Sequence, residues 1–164
     1  MTTLTAGEYH IRNGRWPVAR NLLEDKSGHP KGVFTLWQDS QVRGPWKFEP
    51  ARDIHHGFIF SSAGAPTGVL PPHGDDQKLF GFLLGEEPTV WKVTHVPSAG
   101  KNSFVITSAA DGKFWYSIPP RPGADSTIPP PGSPPQVEIR RLLFNPVEPI
   151  TYPPEVIFEV HRVE

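Results

Sequence analysis

Short apolar runs recur along the chain at a nearly fixed interval. Glu8-Tyr9-His10-Ile11-Arg12, Gly57-Phe58-Ile59-Phe60-Ser61 and Ser103-Phe104-Val105-Ile106-Thr107 begin 49 and 46 residues apart, a period that fits a module of four short strands. Each interval closes on an aromatic residue two places before another apolar one: Trp46-Lys47-Phe48, Trp91-Lys92-Val93 and Phe158-Glu159-Val160. Between these marks the pattern predicts strands near Val18–Leu23 and Gly32–Trp37 in the first unit. It predicts Thr67–Leu70 and Lys78–Leu83 in the second, and Phe114–Ile118 and Val137–Leu143 in the third. Asn13-Gly14, Ala63-Gly64, Asp111-Gly112 and Ser98-Ala99-Gly100 are the turn signals between them. Prolines and glycines interrupt the chain so often that no helical period survives.

Twelve strands in three equivalent units predict an all-β fold, a β-trefoil, over a single domain spanning residues 1–164, with repeats at about 7–50, 56–97 and 102–164. An ordinary β-sandwich is the competing architecture. Tyr9, Trp46, Phe58, Trp91, Phe104 and Phe158 fall at matching places in the repeats and are expected to fill the core, whereas Trp16 and Trp37 lie outside that pattern. The third unit carries proline-rich insertions at 119–135 and 145–154, which cannot enter a ladder and read as surface additions.

Composition narrows the function. With 16 basic against 17 acidic side chains, net charge is close to zero, so the concentrated basic face of a nucleic-acid binder is not expected. No long apolar stretch or basic-then-apolar leader is visible, and cysteine is absent, which together suit a cytoplasmic monomer with no membrane partner. No Gly-x-Ser-x-Gly element or phosphate-binding glycine loop occurs. His55-His56 and His73-Gly74-Asp75-Asp76 read as polar loops rather than metal sites, since adjacent strand residues face opposite ways. A non-enzyme without cofactor is the expectation.

One stretch carries a sharper signal. Ala19-Arg20-Asn21-Leu22-Leu23-Glu24-Asp25-Lys26-Ser27, followed by Pro30-Lys31, resembles the "GRxxxEDxSxxPK" signature of fungal cospin-like serine protease inhibitors, β-trefoils of peptidase inhibitor family I66. Gly7–Asn13 and Phe158-Glu159-Val160 fit the same family. The resemblance implies an exposed loop between the second and third strands that blocks a trypsin-like serine protease in the service of fungal defence. Lys26 is then the cation for an aspartate-based pocket, with Asp25 and Ser27 flanking it, and Lys31 is the competing contact. Glu24 and Asp25 are expected to support the loop, Asp25 by accepting backbone N–H groups.

Three other readings remain open. Related fungal trefoils, the mycocypins, block papain-like cysteine proteases with the loops that correspond here to Asn13–Pro17 and Ser40–Pro45. A carbohydrate-binding lectin is the alternative from another class, although the residues two places before the five tryptophans (Gly14, Thr35, Gly44, Thr89 and Lys113) include none of the glutamines of ricin-B repeats. A toxin-like or storage role for a diverged trefoil is a third.

Overall fold

In the computed structural model, which describes residues 4–70, 77–120, 134–142 and 151–163, the apolar runs become thirteen β-strands. They are β1 (Gly7–Asn13), β2 (Trp16–Arg20), β3 (Lys31–Thr35), β4 (Trp46–Pro50), β5 (Gly57–Ser62), β6 (Ala65–Gly68), β7 (Gln77–Lys78), β8 (Phe80–Gly81), β9 (Trp91–His95), β10 (Ser103–Ser108), β11 (Phe114–Tyr116), β12 (Glu138–Arg140) and β13 (Phe158–Arg162). Tight turns fix the registers. Ala63 and Gly64 both take positive φ (49° and 84°) between the paired Ser62 and Ala65, the backbone of a type I′ hairpin. Among the described residues no helix is long and apolar enough to cross a membrane.

The first and last strands of each unit close a ring. β1 pairs with β4, β4 with β5, β5 with β9, β9 with β10, β10 with β13 and β13 with β1, all antiparallel. A longer circuit of nine strands also closes, through β2, β3, β8 and β6. The inner strands pair as β2–β3, β6–β8 and β11–β12. They meet at a triangle of backbone hydrogen bonds: the Val33 amide donates to the Leu79 carbonyl (3.1 Å), Leu79 to Val137 (2.9 Å) and Val137 to Val33 (2.8 Å). Each unit gives one residue, and all three are fully buried. No water reaches this point, so each donor depends on the next unit for its acceptor.

The anticipated core aromatics Tyr9, Trp46, Phe58, Trp91, Phe104 and Phe158 are all buried. Trp115 stands among them, its ring centroid 5.5 Å from Trp91, 5.6 Å from Trp46 and Phe60, and 5.8 Å from Phe158. The Trp46 indole N–H donates to the Val18 carbonyl at 2.7 Å and that of Trp91 to the Thr67 hydroxyl at 3.1 Å. The buried Trp115 Nε1 has no acceptor among the described residues.

Three sequence expectations need correction. The strand expected over Val18–Leu23 stops at Arg20, because the Asn21 side chain accepts the Leu23 amide (3.1 Å) and the Leu22 amide turns to the Gln41 carbonyl (2.7 Å). The strand expected over Lys78–Leu83 is divided at Leu79, which is drawn into the triangle, and this makes thirteen strands rather than twelve. Of the third unit's Val137–Leu143, the described residues up to Leu142 contribute β12 alone, Val137 again belonging to the triangle. His73–Asp76 and most of the two proline-rich insertions lie outside the described residues.

Candidate functional site

The ten residues from Asn21 to Pro30 link β2 to β3, and both arms of this loop are tied down by charge. On the first arm Arg20 forms a two-pronged pair with Glu24, Nε to Oε2 at 2.9 Å and Nη2 to Oε1 at 2.6 Å. The two side chains are only 5% and 9% exposed. The remaining Arg20 nitrogen donates to the Ser62 carbonyl at 2.8 Å, so this guanidinium fastens the loop to β5. Arg43 reaches the same carboxylate from the far side (Nε to Oε1, 3.3 Å) and donates to the carbonyls of Asn21 (3.1 Å) and Leu22 (2.5 Å). A planar fork with several donors suits this shared task.

The second arm is built on Asp25. One of its carboxylate oxygens accepts the Ser27 amide (3.0 Å) and the Ser27 hydroxyl (2.6 Å), an Asx turn closed twice. The Lys31 ammonium pairs with that oxygen and also donates to the Asp25 carbonyl and the Ser27 hydroxyl, both at 3.2 Å. The Lys31 side chain is 6% exposed, whereas Asp25 faces water. The Lys31 ammonium, followed by the Ser27 hydroxyl and amide, holds the Asp25 carboxyl far below the usual carboxylate range. Lys31, the competing contact residue, therefore does not protrude. Its ammonium is engaged inside the loop at the start of β3.

Between the arms the loop shows its side chains to solvent. Lys26 is exposed and has neither a hydrogen-bond nor an ion-pair partner among the described residues. Leu22 and Leu23 are 50% and 83% exposed. Gly28 packs on Leu84, 74% exposed, with so little room that a Cβ on Gly28 would meet its Cδ1 at 2.8 Å. Arg20, Glu24, Asp25, Ser27 and Lys31 thus hold the shape of the loop, and Leu22, Leu23 and Lys26 are displayed by it. Arg43 and Leu84 come from distant segments; the sequence carries no local signal for either.

The two loops of the papain-directed reading border a cleft of 530 Å³ lined by Arg12, Pro17, Asp39, Val42, Gly44 and Pro45, among others. Trp16 is not a free anchor there. It packs on Trp37 (5.2 Å between centroids), and the Arg15 guanidinium lies 4.2 Å over its ring. The His55 and His56 rings lie 3.9 Å apart between centroids, tilted at 58° to one another, and no group of three potential metal ligands occurs among the described residues.

The site is thus an exposed loop on an all-β scaffold, fastened at both arms by ion pairs. The chain belongs to the peptidase inhibitor I66 family, whose model matches residues 1–162. It is 31% identical over 163 residues to a serine protease inhibitor of Lentinula edodes, covering 99% of this chain and all of the relative. Its structure matches that of a proteinase inhibitor from Coprinopsis cinerea with a TM-score of 0.76 at 28% identity, over 98% of this chain and 100% of the other. A designed threefold-symmetric protein, ThreeFoil, shares the fold at a TM-score of 0.63 and 10% identity, over 96% of this chain and 99% of that one. The Lentinula edodes and Coprinopsis cinerea relatives are protease inhibitors, not enzymes.

Proposed function

We propose that this protein is a reversible inhibitor of trypsin-like serine proteases, a monomeric β-trefoil that offers the β2–β3 loop as a substrate mimic with Lys26 in the primary pocket. The observation that carries this reading is the contrast within the loop: an exposed Lys26, without an ion-pair or hydrogen-bond partner among the described residues, between two arms fixed by ion pairs. A loop already ordered before it meets its partner loses little conformational entropy on binding. Acidic residues before a cleaved lysine disfavour trypsin-like enzymes, but Glu24 is offset by Arg20 and Arg43 and Asp25 by Lys31. Ser27, which follows the scissile bond, is small enough to pass. An interface of about 800 Å² per partner exceeds one loop, and Leu22, Leu23 and Leu84 extend the surface beside Lys26. The ring of six strands and the triangle, each taking equal shares from three units, support the trefoil reading.

Steady-state inhibition of trypsin, chymotrypsin and papain by the native chain and Lys26→Ala tests this. Trypsin should be inhibited, and the substitution should weaken inhibition by about 30-fold or more, the loss of a central contact worth about 2 kcal/mol. Equal inhibition by both proteins would move the contact away from Lys26. Inhibition of papain alone would move it to the Gly14 and Gly44 loops.

A further inference from the structure

A second loop stands beside the first. β8 pairs with β3, Gly81 opposite Lys31, so the chain leaving β8 runs next to the arm that Lys31 secures. The loop that follows, residues 82–90, is fixed at its base. The Phe82 amide donates to the Pro66 carbonyl at 2.8 Å and the Thr89 amide to the Thr67 carbonyl at 3.0 Å, and the Phe82 ring is buried. At the tip, the Leu84 amide donates to Glu86 Oε1 at 3.0 Å and Gly85 takes a φ of 84°, a left-handed conformation that glycine adopts without strain. Leu84 is therefore carried on a short, self-closed turn, yet most of its surface remains in water, and Leu83 is exposed beside it in the chain. Its neighbour across space is Gly28, two residues after Lys26. Leu84 thus borders the side of the loop that follows the Lys26–Ser27 bond. Glu86 and Glu87 belong to the same turn, and neither pairs with a cation among the described residues.

Resting on the inhibitor reading, we propose that the β8–β9 loop is a second contact element that chooses among trypsin-like proteases. Leu84 seats on an apolar face of the enzyme beside the residues that follow the cleaved lysine, and Glu86 and Glu87 meet positive charge at the rim of that face. A large apolar side chain held out into water by a fixed turn is the mark of a contact surface. Its occupant follows from continuity: the surface joins the Lys26 loop through Gly28, so whatever enzyme takes Lys26 lies over Leu84 as well. Both loops spring from the paired strands β3 and β8, so the second adds area with little further ordering on binding. The division of labour is chemical. Lys26 answers a pocket that many proteases share, whereas an apolar face edged with cations differs from one enzyme to the next. The buried leucine governs how long the complex lasts, and the carboxylates govern how fast it forms.

The experiment uses trypsin and three variants of the full chain. Cysteine is absent from the sequence, so Leu84→Cys offers a single position for an environment-sensitive fluorophore, whose emission should shift to the blue when trypsin binds. Leu84→Asp should weaken inhibition by about tenfold or more, chiefly through faster dissociation, while the Ser27 amide resonance of the free protein stays in place. Glu87→Lys should slow association at low salt by about threefold or more, a difference that added salt removes. Undiminished inhibition by Leu84→Asp overturns this proposal alone, as does a fluorophore whose emission trypsin leaves unchanged. So does a displaced Ser27 resonance in Leu84→Asp, which would make Leu84 a prop for Gly28 and not a contact, or an association rate that Glu87→Lys does not alter. Trypsin that the native chain never inhibits overturns the functional reading beneath it.

Discussion

Asp25 shows how much of the loop rests on one ionised group. Its folded-state pKa is depressed, chiefly by Lys31, so its contribution to stability is complete above the ordinary aspartate value of about 4, declines progressively as the pH falls below it, and is gone below the lower folded value. The Ser27 amide resonance should therefore stay unchanged from neutral pH down to about pH 4 and move only in stronger acid. In Lys31→Met the largest cause of the depression is gone, and the midpoint read by NMR should rise towards the ordinary range. The carboxylate's role was legible in the sequence, because an aspartate two residues before a serine in a loop is an Asx turn in the making. The role of Lys31 was not. Six residues from Asp25, it looks like any lysine at a strand edge until the turn folds back over it.

At the scale of the element, the β2–β3 loop is kept open by a buried guanidinium–carboxylate pair. Glu24→Ala would leave Arg20 charged and nearly enclosed without its partner, and a loss of about 3–5 kcal/mol in denaturant unfolding is expected. Lys26→Ala should leave the stability within about 0.5 kcal/mol of the native chain, since the side chain is exposed and makes no hydrogen bond or ion pair among the described residues. A large loss in that variant would mean that Lys26 is part of the loop's framework instead. The start of the loop was misjudged from sequence because Leu22 and Leu23 continue the apolar run of β2. Only the side-chain cap from Asn21 and the bond to Gln41 show why the run leaves the sheet. Arg43 was beyond reach for a related reason: the contact joins segments that nothing local relates.

At the scale of the whole molecule, the aromatic core is satisfied unevenly. Trp46 and Trp91 each place an indole N–H on an acceptor, and Trp115 does not. Trp46→Phe leaves the Val18 carbonyl without the indole donor, so it should cost about 1 kcal/mol or more beyond Trp115→Phe, which removes a donor with no partner among the described residues. Matched denaturation curves decide this, and equal losses would show that the indole hydrogen bonds contribute nothing net. The three-unit period and the core aromatics were legible because buried strands repeat their apolar register. The division of the second unit's third strand was not, since Leu79 looks like any apolar residue in a run and only the meeting of all three units reveals its task.

That meeting also sets an order of events during synthesis. Val33 and Val137 are separated by more than a hundred residues, and neither has its triangle partner in the stretch of chain made alongside it. While the chain is being made, the earlier units have nothing with which to complete the junction until Val137 has left the ribosome. Closure is thus a late and long-range step, and folding belongs to the millisecond-to-second class of nonlocal β proteins. Until then the nascent chain carries unpaired strand edges that a chaperone is suited to cover.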